Sequence, residues 1–222
     1  FLVIMKIPRI DTIESLETRL SNDLAWRKVE LHRIKTRVRR SKDEITIKAG
    51  FTFLYAHWEG YIDWASNCYF EYVKNQNLTY NQLKVNWIAF SISQEIQRSA
   101  SSKKLEDHCT IIEKILLNGD SPVCFPSSLH ITTEYNLNYS RLTRIAFIIG
   151  LDISEYALKK QKIDETLVRT RGDIAHGKRL TINAKEFLEL YDIIIELLDN
   201  FNGKLLDAAT NNEFRRDLFK PD

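Results

Sequence analysis

The chain has 222 residues, of which 44% are hydrophobic, and a formal net charge of +2. This is enough apolar material for a sizeable core, while the net charge by itself implies no polyanion partner. Only 7 Gly and 4 Pro are present, which excludes a protein of many short strands and points to long helices.

The three cysteines, Cys68, Cys109 and Cys124, are far apart and form no Cys-x-x-Cys pair. They read as reduced core thiols of a cytoplasmic protein. No apolar run approaches the roughly 18 residues that a membrane span needs. Phe1–Ile4 is too short for the core of a secretory leader, and Met5 reads as the natural start. Residues 1–4 are then an appended remnant, and 5–222 are expected to form one domain.

Asp11-x-x-Glu14 reads as the cap of a first helix over about 12–40. Leu16, Leu20, Leu24, Leu31, Ile34 and Val38 recur along it at helical spacing. Arg27 falls on that apolar seam, so it must either pair with a buried acid or serve a function. Ser41-Lys-Asp-Glu44 resembles a capping box. It opens a second helix on which Ile47, Phe51, Leu54, Trp58, Ile62, Ala65 and Tyr69 hold the same period to about Lys74.

A third helix is expected over about 79–98, a turn at 99–103, and a fourth helix over 104–117. From 118 to 139 the chain should be irregular, with one short extended piece at Leu129–Ile131. Ser140–Ile149 is helical and ends at Gly150. Residues 161–176 form another helix, closed by Gly177. Asn183 caps a last helix over about 184–206, with an apolar stripe of Phe187, Leu190, Tyr191, Ile194, Leu197, Leu198 and Phe201. The expected fold is all-α, a multi-helix bundle with an irregular insertion around 118–139.

Two segments carry charge that the core does not explain. The first runs from Arg27 to Lys42 and holds eight basic residues against the single Glu30. Arg33, Arg37 and Arg40 share one edge of the helix, as an RNA backbone track would require. A solvated helix face explains the run equally well. The second segment is Arg171-Gly-Asp-Ile-Ala-His176-Gly177. Arginine is a permanent phosphate ligand, and histidine carries protons near neutral pH.

The same five-residue spacing occurs at Arg27 and His32, so spacing alone decides nothing. The difference is context. Small residues flank Arg171 and His176, and none flank the other pair. Gly172 inside a helix costs about 1 kcal/mol relative to Ala and needs a reason, such as close approach of another helix or of a phosphate.

Arg-x-x-x-x-His near the carboxyl end of an all-α domain resembles the HEPN superfamily (higher eukaryotes and prokaryotes nucleotide-binding domain). The form R-G-D-I-A-H-G, the segment A-H-W-E-G at 56–60, and the stretch from T-T-E-Y-N-L-N to I-I-G-L-D at 132–152 are similar to the prokaryotic MAE-type HEPN subfamily. The likeness runs over nearly the whole chain from Met5. It implies a helical bundle that dimerises with the two motifs facing across the two-fold axis. It also implies metal-independent endoribonuclease activity, used in toxin–antitoxin or antiviral systems, with an antitoxin or accessory protein as a further partner. Many members carry Asn, Asp or His directly after the arginine, where this chain has Gly172. Asp173 points about 100° further round the helix. The tyrosine that follows the histidine in members silenced by nucleotidylation is replaced by Gly177 and Lys178.

Arg171 and His176 are therefore the candidate catalytic residues, with Glu59, Asp173 and Gly172 in support and Arg33, Arg37 and Arg40 as RNA contacts. Glu59, between Trp58 and Gly60, reads either as a marginal glutamate paired with a surface lysine or as a buried carboxylate orienting Arg171 or Arg27. His57 reads as an ordinary half-buried histidine. The five histidines show no metal-ligand spacing, and no phosphate-cradling glycine loop is present, so neither metal nor cofactor is expected. RNA supplies the nucleophile, its own 2′-OH, and the protein must supply a base, an acid and positive charge. One chain offers one His and one Arg, and two chains offer two of each. A five-residue step also sets Arg171 and His176 about 140° apart on a helix. A composite site, Arg171 of one protomer beside His176 of its partner, follows. The competing class is a helical module that binds RNA, nucleotide or a protein and cuts nothing. A third is a purely structural helical dimer.

Overall fold

The computed structural model describes residues 9–102 and 104–216. The expected start at Met5, the remnant at 1–4 and the end of the turn at Lys103 lie outside these residues. Among them the regular structure is all helical and there is no strand, only two isolated β-bridges, Thr79 to Pro122 and Leu83 to Arg215. The extended piece expected at Leu129–Ile131 is not a strand.

Three long helices make the centre: α1 (Ile13–Ser41), α2 (Glu44–Asn75) and a last helix, Ala184–Thr210. The six seam residues read from the sequence of α1 are all buried. So are all seven of α2 and all seven of the last helix. This is the 3.6-residue period expressed as packing. The caps sit beside their expected positions. Thr12, not Asp11, accepts from Ser15 N (3.2 Å) at the start of α1. Asp43, not Ser41, accepts from Thr46 N (2.9 Å) at the start of α2. The reversal between them is made by Lys42 at φ 54°, whose N–H returns to Val38 O.

The helix expected over 79–98 is two. Residues 79–84 turn, α3 spans Val85–Ser91, and α4 begins after Ile92 and spans Ser93–Ser102. The serines expected to turn at 99–102 are thus helical. Helix α5 (Leu105–Leu117) pairs with α4 through Lys114 Nζ and Glu95 Oε1 (2.7 Å), and none of its residues is buried. Helix α6 (Tyr139–Ile149) is capped by Asn138 and ends on Gly150 at φ 73°.

The next rod is not the plain α-helix expected over 161–176. It is a 3₁₀ piece (Ser154–Lys159), a π-helical piece (Lys162–Val168), and α7 (Arg169–Ala175). The last helix is α8. Ion pairs of Lys28 with Asp199 and of Lys35 with Asp192 run α8 antiparallel to α1. The Tyr156 hydroxyl donates to Leu197 O (2.9 Å) and ties the rod to α8.

Of the three cysteines, only Cys68 is a core thiol. Cys109 and Cys124 are exposed, because α5 has no buried face and Cys124 lies in the irregular segment. No helix among the described residues is long and apolar enough to cross a membrane.

Candidate active site on the motif helix

The motif helix is shaped from both ends. Upstream, the π-helical piece closes with Arg169 N bonded to Asp164 O, a wide turn of a kind concentrated at functional sites. Ile163 and Leu167 are buried and Ile174 is half-buried. Arg171 lies four residues past Leu167, on the same inward stripe, where a core residue would otherwise stand. Downstream, Gly177 at φ 67° ends the helix: Gly177 N bonds to Ile174 O and Lys178 N to Asp173 O, both at 3.0 Å. This pair of bonds is a Schellman motif, and its geometry demands glycine at the left-handed position. His176 is the C-cap residue and is exposed.

The Arg171 guanidinium carbon lies 4.4 Å from the centroid of the Tyr55 ring. Such stacking holds an arginine without neutralising it. Arg171 has no ion pair among the described residues, so its N–H fork remains for an anion. Tyr55 is buried on α2, and its hydroxyl accepts from Leu137 N (2.9 Å). Burial, then the neighbouring Glu59, pushes its pKa well above the usual phenol value, so it stays neutral. Sequence reasoning missed Tyr55. It stands beside the apolar stripe of α2 and reads as one more core aromatic.

The supporting residues take roles other than those expected. Glu59 Oε1 accepts from Leu137 N (3.2 Å) and forms no ion pair with Arg171 or Arg27 among the described residues. Nor is it paired with a surface lysine among the described residues. The Asp173 carboxylate accepts from Lys178 Nζ (2.7 Å), and that bond and charge hold its pKa below the ordinary carboxylate value. It fixes the turn after His176 and leaves Arg171 alone. A Cβ at Gly172 would meet nothing within 4 Å. No helix among the described residues packs against that glycine.

The basic run is divided. Arg27 pairs with Asp23 (2.5 Å), and its guanidinium fills the space above Gly60, where a Cβ would lie 2.7 Å from Nη1. Lys28 and Lys35 are spent on α8. Arg33, Arg37 and Arg40 are exposed with no ion pair among the described residues. Gly50 meets Val38 of α1, His57 meets Glu30, and Gly60 meets Arg27. At about 100° per residue, these three stand on the face of α2 opposite Tyr55. Within one chain the arginine strip and the motif therefore lie on different sides of α2. His57 is buried rather than half-buried, flanked by Trp26 and Phe53. Among the described residues, no three His, Cys, Asp or Glu side chains gather as a metal-binding group.

A family model of MAE_28990-like HEPN domains matches residues 16–214. The chain belongs to this HEPN family. The match takes in the three central helices and the whole motif rod. HEPN domains serve as ribonucleases or nucleotide-binding modules, and commonly bind RNA and dimerise. No curated protein and no solved structure matches the chain.

Proposed function

We propose that this HEPN domain is an endoribonuclease that cleaves RNA without a metal ion, by attack of the 2′-OH on the adjacent phosphate. One observation carries the reading. Arg171 is stacked on Tyr55 with no carboxylate partner among the described residues, five residues from an exposed histidine at a helix C-terminus. The guanidinium stabilises charge on the phosphorane-like transition state. Two imidazoles then move the protons, one taking the 2′-OH proton and one protonating the 5′-oxygen that leaves. A single chain presents one such imidazole, so the working unit is a homodimer in which Arg171 of one protomer serves the phosphate beside His176 of its partner. Open space above Gly172 suits close approach of that partner or of the phosphate. The family setting makes a toxin or antiviral effector the natural role, with an antitoxin or accessory protein as its control.

Incubation of the purified chain with RNA in EDTA should yield 2′,3′-cyclic phosphate and 5′-OH ends. A strict need for Mg²⁺, or 3′-OH products, would sink the mechanism. The second reading is a HEPN module that binds RNA, nucleotide or a partner protein without cutting. It is favoured by Gly172 in the place of a polar residue and by the capture of the Asp173 carboxylate by Lys178. RNA binding with no cleavage by any preparation would select it.

A further inference from the structure

From the segment 131–138 beside the motif helix, we infer that Tyr135 is a stacking platform for an unpaired nucleobase flanking the phosphate at Arg171. The inference rests on the ribonuclease reading for its account of the phosphate, but its own observations are separate.

The segment is bolted to α2 along its length. Asn67 donates to Ile131 O (2.8 Å) and accepts from Ile131 N (2.9 Å). Leu137 N donates to both the Tyr55 hydroxyl and Glu59 Oε1. At its end Tyr139 N donates to Asp164 Oδ1 (2.7 Å) in the π-helical piece, and Asn138 caps α6. Thr133 and Leu137 are buried.

Between these anchors the chain leaves the core. Glu134 and Tyr135 lie at φ 49° and 58°, both left-handed and neither glycine. Such residues cost energy and persist where the surroundings over-determine them, often at functional sites. The outcome of that cost is an aromatic ring turned to solvent: Tyr135 is 67% exposed. Glu134 is pinned by an ion pair with Arg141, which steadies the backbone from which the ring projects. Leu137, whose N–H bonds the ring that carries Arg171, is two residues on, or at most about 7 Å of backbone. A ring held there is within reach of a base next to a phosphate on the Arg171 fork. An exposed aromatic on a braced loop beside a free cation is the form of a single-strand contact, since every unpaired base has a face to stack and a base in a duplex does not offer it.

The test uses the full chain carrying His176→Ala, so that binding is read without turnover. The probes are a labelled mixed-sequence 12-nucleotide RNA strand and the duplex it forms with its complement. Tyr135→Ala should weaken binding of the single strand by roughly tenfold. Tyr135→Phe should stay close to the parent, since stacking needs the ring and not the hydroxyl, and Tyr135→Leu should fail as Ala does. Duplex binding should not depend on the residue, and the melting temperature of Tyr135→Ala should match the parent. No single-strand binding by the parent, equal affinity for the parent and Tyr135→Ala, loss in Tyr135→Phe equal to that in Ala, or equal weakening for the duplex each overturns the platform. Cleavage by the unsubstituted chain is scored separately. Its absence beside Tyr135-dependent binding sinks the ribonuclease reading and leaves the platform standing. Cleavage beside Tyr135-independent binding does the reverse.

Discussion

Arg27 with His32 and Arg171 with His176 share one spacing, and the fold treats them in opposite ways. Arg27 stands in the middle of a continuous 29-residue helix, with its side chain 11% exposed and tied to Asp23 on the preceding turn. Its partner histidine points to solvent from an uninterrupted α-turn. Arg171 is the third residue of a seven-residue helix preceded by a π-helical turn and stopped by Gly177. Its charge rests on a ring, not on a carboxylate. An arginine paired with a half-buried acid is already neutralised and belongs to stability. An arginine stacked on an aromatic keeps its charge for something else. The chemistry of an Arg/His pair is thus set by what holds the arginine and where the helix ends.

The largest expected effect would break this contrast if it failed. Arg171→Ala and His176→Ala should each lower cleavage by about 10²–10⁴-fold with unchanged thermal unfolding. Arg27→Ala should instead cost stability, about 1–2 kcal/mol, because it leaves the half-buried Asp23 carboxylate without its partner. Thermal or urea unfolding measures that loss. If His32→Ala stopped turnover in a well-folded protein while His176→Ala did not, the roles of the two pairs would be reversed.

The glycines beside the two arginines sharpen the same contrast. Gly60→Ala places a Cβ 2.7 Å from Arg27 Nη1, so the guanidinium must shift and its ion pair loosens. Gly172→Ala meets nothing within 4 Å among the described residues and removes a mid-helix glycine, which should stabilise the protein by about 1 kcal/mol. The expected result is a smaller gain in melting temperature for Gly60→Ala than for Gly172→Ala. If a partner protomer or a phosphate uses the space at Gly172, its alanine variant should be more stable and less active. Equal activity would show that nothing approaches there.

A smaller effect is a pH dependence confined to the Arg27 side. Burial first, and then the Arg27 guanidinium, lowers the His57 pKa from its ordinary 6.5, while Glu30 and Asp23 oppose this. The unfolded chain then binds the proton more readily than the folded one. Stability should fall as the pH drops below about 6.5 and level off once the folded imidazole titrates. Urea unfolding between pH 7.5 and 5 measures the slope, and His57→Gln should flatten it. A slope unchanged by the substitution would assign the dependence to other groups.

The smallest effect concerns the outer strip of α1. Glutamate at Arg37 and Arg40 should leave turnover at saturating RNA unaltered and change stability by no more than about 0.5 kcal/mol. If RNA follows the strip toward the motif of a partner protomer, affinity should drop, and the loss should shrink as salt rises. An unchanged dissociation constant and salt slope would leave the strip a solvated face.

Periodicity in the sequence determined the long helices and their buried stripes, because apolar spacing and burial are the same fact seen twice. It also determined the motif and its stop: Gly150 and Gly177 end their helices where a left-handed residue is needed. The HEPN resemblance, carried by Arg-x-x-x-x-His and its surroundings, agrees with the family match. The break of 79–98 into α3 and α4 was not legible, since it depends on the bridges and bonds that fasten residues 79–84 to 119–123 and to Phe214 and Arg215. The π-helical piece was equally hidden, because its residues are ordinary helix formers and its shape answers to the anchoring of Tyr139 on Asp164. Tyr55 and the segment 131–138 belong to the site only through contacts 78 and 82 residues apart in sequence, Leu137 to Glu59 and Leu137 to Tyr55. Local pattern reports which face of a helix is apolar. Which side chain lies over which ring, and whether an arginine finds an acid, is decided when distant segments meet.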